Sequence, residues 1–579
     1  MMTKKALLVL ALPLTFSTAF ARVQMIPVAE QIIQQAKKNE SRYVLKNIKG
    51  LQSVKIFTET EQPENWFNLS PAQGAEGMRT EEAYTTFGLP QGEEIIVAVI
   101  DSGVDVNHED LQGKVWINSK EIPNNGLDDD GNEFIDDVFG WNFIGGVKGM
   151  AKMVEDTSLK NGMRLVQGDL TAQVDGDSLE ITRELVRLKT LKSQVEELGE
   201  KLSAAQASLL EKVQKTVSEN VEGAKKIIST FSARKATYKK AEAILLAAGV
   251  AEMTLDAVRA LESTDEEVLT AQRQMITLLS NNLGEARLNR VLEHYEGLLK
   301  YHYNENFNPR TIVGDTYSNQ YEYKYGNNDV IGVGSDHGTH VSGIIAAVRD
   351  NALGIKGVAT NVKIMAIRVV PNGDERDKDV ANGIDYAVGN GARIINMSFG
   401  KAFSPYKHVV DAAVKRAQEK GVLFVHAAGN DNKNNDLLPS FPTRTDKDSG
   451  QDFNNWLEIG ASSFLKGLTL PADFSNYGKK SVDFFAPGVD VLSTVPGDKY
   501  DSFSGTSMAS PAAAGVAALA MSYDASLDAD SVKALMIETS RRYPKLKVNL
   551  PGTEDAVLFS SLSTYGTIVD AFEAVKALK

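Results

Sequence analysis

Four short stretches of this chain hold residue types that could make and break a covalent bond. In Gly505-Thr506-Ser507-Met508-Ala509-Ser510-Pro511 a serine stands where a turn-rich segment gives way to a run of small and apolar residues, 512–519. That run reads as a buried helix. A hydroxyl on the loop side of such a junction lies beside unpaired helical N–H groups, which carry partial positive charge. The setting suits a nucleophile whose attack creates an oxyanion, although serine also commonly caps a helix there. Asp336-His337-Gly338-Thr339-His340 runs into a second apolar helix. Its histidines lack a third ligand and the HExxH arrangement, so a general base is the better use of an imidazole here. Asp101-Ser102-Gly103 ends the run Ile95-Ile96-Val97-Ala98-Val99-Ile100, and Asn430 ends His426-Ala427-Ala428-Gly429. A carboxylate can orient an imidazole. An exposed amide after a strand can be a turn residue or a donor aimed at a developing oxyanion.

The elements that must carry these groups are legible. A continuous apolar, β-branched run such as 95–100 predicts a strand buried on both faces. Further strands are expected at Val362 to Val370, Ala392 to Met397, Val422 to Ala427, Leu457 to Gly460 and Val482 to Phe485, with helices near 376–390 and 405–420. That alternation predicts an α/β fold: a mainly parallel sheet with helices on both faces, and functional groups at the carboxyl ends of its strands. Between Asp101 and His337 the composition changes. Residues 176–302 contain no proline, and Leu188, Leu191, Val195, Leu198, Leu202, Ala205 and Leu209 recur in alternating steps of three and four. Gly249, Gly284 and the cap-like Ser263-Thr264-Asp265 mark breaks. An α-helical coiled-coil insertion folding back on itself is expected over 144–309, either as a structural appendage or as an arm that docks a protein partner.

Near the insertion lies the acidic loop Asp128-Asp129-Asp130-Gly131-Asn132-Glu133-Phe134-Ile135-Asp136-Asp137. Oxygens from Asp128, Asp130, Asn132 and Asp136 could converge on a calcium ion, which takes six to eight oxygen ligands. A solvated acidic turn is the alternative, and Phe139 stands where an EF-hand would place its bidentate Glu. The whole chain, 579 residues with a net charge of -14, is a poor match to nucleic acid or an anionic membrane. It has no cysteine, which excludes disulfides, thiolate metal sites and a cysteine nucleophile. Lys4 and Lys5, the apolar run 6–14 and Ala19-Phe20-Ala21 predict a signal peptide over 1–21. The run is too short to anchor the mature protein, and no second candidate span follows. Export to the periplasm or the medium is therefore expected. Residues 22–63 read as a removable pro-segment or a permanent extension, 64–143 and 310–579 as the two parts of the main domain.

Taken together, the Asp-Ser-Gly, His-Gly-Thr-His and Gly-Thr-Ser-Met-Ala-Ser-Pro stretches, in the order Asp, His, Ser, resemble the subtilisin-like (subtilase) serine peptidases, family S8. The resemblance covers about 64–143 and 310–579. It implies the three-layer subtilisin-like fold and an exported serine endopeptidase. It implies Ser507 as nucleophile, His337 as general base, Asp101 as its orienting acid, and Asn430 with the Ser507 N–H as oxyanion hole. It also implies that Ser398-Phe399-Gly400 pairs with extended protein or peptide substrates. A calcium site carried over from the family would use the side chains of Asp110 and Asn351 and the carbonyls of Arg349, Leu353 and Ile355. No catalytic cofactor is implied. The competing expectation is an inactive scaffold of this fold whose helical arm binds a partner.

Overall fold

The computed structural model describes residues 62–579; the expected signal peptide and most of the expected pro-segment lie outside the described residues. The chain divides into two compact units, one holding 178–307 and the other 61–177 with 308–579. The sheet-bearing unit opens with α1 (Thr80–Phe87), β1 (Ile95–Asp101) and β2 (Gly140–Asn142), then the antiparallel hairpin β3 (Lys152–Glu155) and β4 (Met163–Val166). The helical unit contains α2 (Glu180–Glu197), α3 (Ala204–Ala247), α4 (Leu255–Ala260), α5 (Glu266–Ser280) and α6 (Glu285–Gly297). The sheet unit resumes with α7 (Arg310–Val313), α8 (Asp336–Ala346), β5 (Val362–Arg368), α9 (Asp377–Gly389), β6 (Ile394–Met397), α10 (Lys407–Glu419) and β7 (Leu423–Ala427). Then come β8 (Trp456–Ser462), β9 (Phe484–Pro487), β10 (Val491–Val495), β11 (Lys499–Phe503) and α11 (Thr506–Tyr523). The chain ends with α12 (Ala529–Thr539), β12 (Arg541–Arg542), β13 (Lys547–Asn549), β14 (Ala556–Leu558), β15 (Thr567–Ile568) and α13 (Ala571–Lys576).

Nine strands form the main sheet in the order β12-β15-β9-β8-β7-β6-β1-β5-β2. All pairs are parallel except β12 with β15. The continuous apolar runs follow from burial on both faces. Val97 and Val99 pack with α8 and α11, whereas Ala98 and Ile100 pack with α9 and α10. Helix α11 is buried from Met508 to Ser522, as its run of alanines requires. Because β1 pairs with β5 on one side and β6 on the other, the chain reverses its winding direction at β1. Ligand sites of open α/β sheets form at such a point, beyond the carboxyl ends of the strands. Asp101, Ser398 and Asn430 all stand at or just past such ends.

One expectation about the insertion, where it begins, needs correction. The repeat from Leu188 to Leu209 spans two helices: α2 stops at Glu197, Gly199 takes a positive φ of 74°, and Ser203 with Gln206 forms a capping box that starts α3. Leu198 is consequently exposed. Residues 144–177 belong to the sheet unit, where Ala151, Met153 and Leu165 enter its core. Each hairpin strand buries one residue only, too little alternation to announce a strand. Gly249, Asp265 and Gly284 do stand at helix ends.

Candidate active site

Glycines let the end of β1 and the start of α8 meet. Gly103 has a φ of 120°, and a Cβ there would overlap the Ile331 carbonyl. A Cβ on Gly338 would overlap the Gly103 carbonyl and lie 3.1 Å from Asp101 Cβ. Their absence brings His337 Nδ1 to 2.8 Å from Asp101 Oδ1, an oxygen that also accepts the Ser102 N–H at 2.7 Å. Asp101 is buried, and its Oδ2 has no hydrogen-bond partner among the described residues. Desolvation works to lower the His337 pKa, but the charge and hydrogen bond of Asp101 outweigh it and hold the imidazole above its usual value. The second histidine has a different role. His340 is buried, its Nε2 lies 3.0 Å from the Val491 carbonyl, and its ring stacks on Phe503. Burial, then the nearby His337, push its pKa down to about 3, so it is a neutral strut between α8 and the β10–β11 hairpin.

Ser507 stands in the first turn of α11 and donates to the Ser398 carbonyl at 2.9 Å. Pro511, four residues on, has no N–H to give the Ser507 carbonyl. The Ser398 hydroxyl fills that place at 2.9 Å. Asn396 donates in turn to Ser398 Oγ and accepts from Ser510 Oγ, which ties the end of β6 to α11. Asn430 is oriented by Thr506, whose N–H and hydroxyl both donate to Asn430 Oδ1, at 2.8 and 2.9 Å. Two donors on one atom identify it as the oxygen and leave Nδ2 as the outward-facing donor. A Cβ built on Gly505 would lie 3.4 Å from Asn430 Nδ2 and 3.5 Å from Ser507 N. Two N–H donors therefore flank one open spot beside the serine. Gly505 is extended, with a φ of 173°, so its backbone is unstrained, and a side chain there would occupy the spot between the two donors.

Ser398-Phe399-Gly400 follows β6 directly. The Phe399 carbonyl accepts from the buried His426 Nε2 at 2.9 Å, while His426 Nδ1 lies 3.0 Å from Glu458. Lys401 and Phe441 exchange main-chain hydrogen bonds. A Cβ on Gly400 would come within 2.6 Å of Ser440 Oγ, and one on Gly429 within 3.6 Å. Ser440 thus lies between the backbone after β6 and the backbone after β7.

Asp110 is fully buried. It accepts from Asn351 Nδ2 at 2.7 Å and from the Ile355 N–H at 3.3 Å, and burial raises its pKa. The loop from Arg349 to Ile355 turns around this carboxylate through Ala352 and Gly354, both at positive φ. A buried carboxylate met only by neutral donors fits a calcium ligand set. In the acidic loop, Asp128 and Asp130 lie with Glu121, the carboxylate oxygens of all three within 4.8 Å of one another. Asp136 is outside that group: Oδ2 accepts from the Gly126 N–H, and the buried Oδ1 is unpartnered. Asn132 Oδ1 accepts from the Phe134 N–H and its Nδ2 donates to Asp137, so its amide closes the turn. Glu121 stands outside the alternating spacing that flagged the others, and its pKa is raised by burial. These three carboxylates could hold a metal ion.

The chain is similar in sequence to known proteins. Residues 92–555 match the model of the family described as the subtilase family. The thermophilic serine proteinase of Bacillus sp. (strain AK1) is 41% identical over 186 residues, 32% of this chain and 42% of that protein. Alkaline elastase YaB of Bacillus sp. (strain YaB) is 41% identical over 187 residues, 32% of this chain and 45% of its own. Subtilisin Savinase of Lederbergia lenta is 38% identical over 187 residues, 32% of this chain and 63% of its own. The chain thus spans about half the length of the curated relatives it matches. A crystal structure of a cold adapted subtilisin-like serine proteinase matches at 29% identity over 41% of this chain and 74% of that one, with a TM-score of 0.33.

Proposed function

The chain belongs to the subtilase family, and from that premise we propose that it is an exported serine endopeptidase with Ser507 as nucleophile, His337 as general base and Asp101 as the orienting acid. The observation that carries the reading is the open spot beside Gly505, flanked by Asn430 Nδ2 and Ser507 N. Such paired donors serve a tetrahedral oxyanion.

Substrate lies as an added strand along Ser398-Phe399-Gly400, gripped by its main chain. The Ser507 hydroxyl rotates from the Ser398 carbonyl toward His337 Nε2. That nitrogen is free to accept because Nδ1–H donates to Asp101. Oγ attacks the scissile carbonyl as its proton passes to His337, and Asp101 stabilises the imidazolium. Asn430 and the Ser507 N–H hold the oxyanion. The intermediate collapses as His337 protonates the leaving amine, giving an acyl-enzyme on Ser507. Water, activated by the same imidazole, releases the acid and restores the serine.

Calcium has a structural part in this reading. Asp110 and Asn351, with the carbonyls of Arg349, Leu353 and Ile355, would hold one ion, and Asp128 and Asp130 with Glu121 a second. The ions would supply positive charge that fixes these loops, and no step runs through them. Export rests on the signal-like residues 1–21; no described helix is long and apolar enough to cross a membrane.

A fluorophosphonate probe tests the reading at neutral pH with calcium present. Labelling of the wild type and none of Ser507→Ala is expected. A folded wild-type protein that takes no label would sink the enzyme reading.

A further inference from the structure

Arg368 is the last residue of β5, paired across the sheet with Asp101. Its side chain is fully buried, yet among the described residues no carboxylate hydrogen-bonds to it. Its donors go mainly to main-chain carbonyls: Nε to Ser102 at 2.8 Å, Nη2 to Val174 and Val333 at 2.8 Å each. Nη1 reaches the Asn142 side-chain oxygen at 3.4 Å. Burial lowers the Arg368 pKa to about 10, and the charges of Asp329 and Asp175 offset part of that cost at longer range.

The acceptors belong to segments far apart in the chain. Ser102 follows Asp101. Val333 lies four residues before His337. Val174 lies on the stretch that leads into the helical insertion. The backbone beyond Arg368 reaches the same place: the Val369 and Val370 N–H groups both donate to the Asp101 carbonyl, at 2.9 and 3.2 Å. Gly332, at a φ of 60°, lies so close to the guanidinium that a Cβ would overlap Nε. A planar fork with five donors can hold several carbonyls in fixed directions; an ammonium has three donors around one point.

We propose that Arg368 is a positioning residue for the Asp101–His337 pair, clamping the loop after Asp101, the loop before His337 and the root of the helical insertion around one guanidinium. The inference rests on the catalytic reading of that pair. Misplacing a catalytic group by about 1 Å can cost on the order of 10²-fold in rate. Substrate binding is assigned to a different segment, after β6, so the loss falls on kcat.

The test uses the full chain with Arg368→Gln and Arg368→Lys, folding being checked by circular dichroism and thermal midpoint. For folded Arg368→Gln the expected result is kcat lower by on the order of 10²-fold with KM within about twofold. Arg368→Lys, which keeps the charge and part of the donor set, should recover about tenfold of that loss, and it decides the matter if the Gln variant does not fold. A second readout needs no activity. The proton between His337 and Asp101 should give a downfield resonance in Ser507→Ala, weakened or lost when Arg368→Gln is added. A folded Arg368 variant with wild-type kcat and an unchanged resonance would overturn the clamp. An inactive wild type that still shows the resonance, and its loss in Arg368→Gln, would instead reject the enzyme reading and keep the clamp.

Discussion

Asp101 acts on His337 in two ways with opposite consequences for rate. It fixes the tautomer that leaves Nε2 free, which in the proposed mechanism raises kcat. It also raises the imidazole pKa against the lowering effect of desolvation, which keeps the base protonated to a higher pH. A base must lose its proton to act, so kcat/KM should rise with pH through a value above the ordinary 6.5 or so of histidine. Asp101→Asn removes the charge and leaves desolvation. The acid limb of kcat/KM should then move to lower pH while kcat falls by about 10⁴-fold, the loss known for such replacements in serine-peptidase triads. A pH–rate profile of both proteins decides; an acid limb that stays in place would detach His337 from it. Asp101, His337, Asn430 and Ser507 stood out in the sequence as candidates because each lies in a short distinctive run, at a strand end or a helix start, that can be read without knowing its partners in space. Glu121 and Arg368 did not. Their partners are close only in space, and nothing in the residues beside them signals a carboxylate cluster or a clamp.

Loops between elements carry the least self-sufficient electrostatics. The Arg349–Ile355 loop surrounds Asp110, a buried carboxylate held by an amide and an N–H, and burial raises its pKa. A cation there would stabilise the folded state by about 2.7 kcal/mol at a hundredfold excess over its dissociation constant. For a unit of this size that is roughly 3 °C in thermal midpoint. Chelation should therefore lower the midpoint of the wild type by about that much, and Asp110→Asn should abolish most of the difference. Equal midpoints with and without chelator in both proteins would remove calcium from this loop. The strands were easier to foresee than the loops, because burial on both faces of a parallel sheet forces runs such as 95–100 and 422–427 to be apolar throughout. The β3–β4 hairpin buries one residue per strand and so left no such pattern. The leucine spacing across 188–209 does not show where α2 ends and α3 begins, since the positive φ of Gly199 and the cap at Ser203 break the backbone without breaking the spacing.

For the molecule as a whole, an acid and a base separated by a long insertion can meet only if the chain leaves and rejoins the sheet unit at one place. The anchors are buried ion pairs on one turn of α9 and the residue before it. Asp177, at the exit, takes Arg376 in two hydrogen bonds of 2.6 and 3.0 Å. Arg310, at the return, takes Asp379 in two more of 2.6 and 3.0 Å, and Asp315 besides. Positions three apart on a helix lie about 5–6 Å from each other, so both ends of the insertion are fixed within a short span. Composition marked the insertion but could not locate these anchors, because their partners lie about 70 to 200 residues away in sequence. Every residue that carries the catalytic reading also lies in the sheet unit. Replacing 178–307 by a short Gly/Ser linker should therefore leave a folded protein that hydrolyses small peptides with kcat/KM within about threefold of the full chain. Cleavage of a folded protein substrate, measured beside it, assigns the arm. If protein cleavage falls while peptide cleavage holds, the helical unit selects substrates. If both hold, it serves neither binding nor chemistry. If both fall together in a folded protein, the arm supports the Asp101–His337 geometry, the outcome that the Arg368 contact with Val174 makes physically reachable.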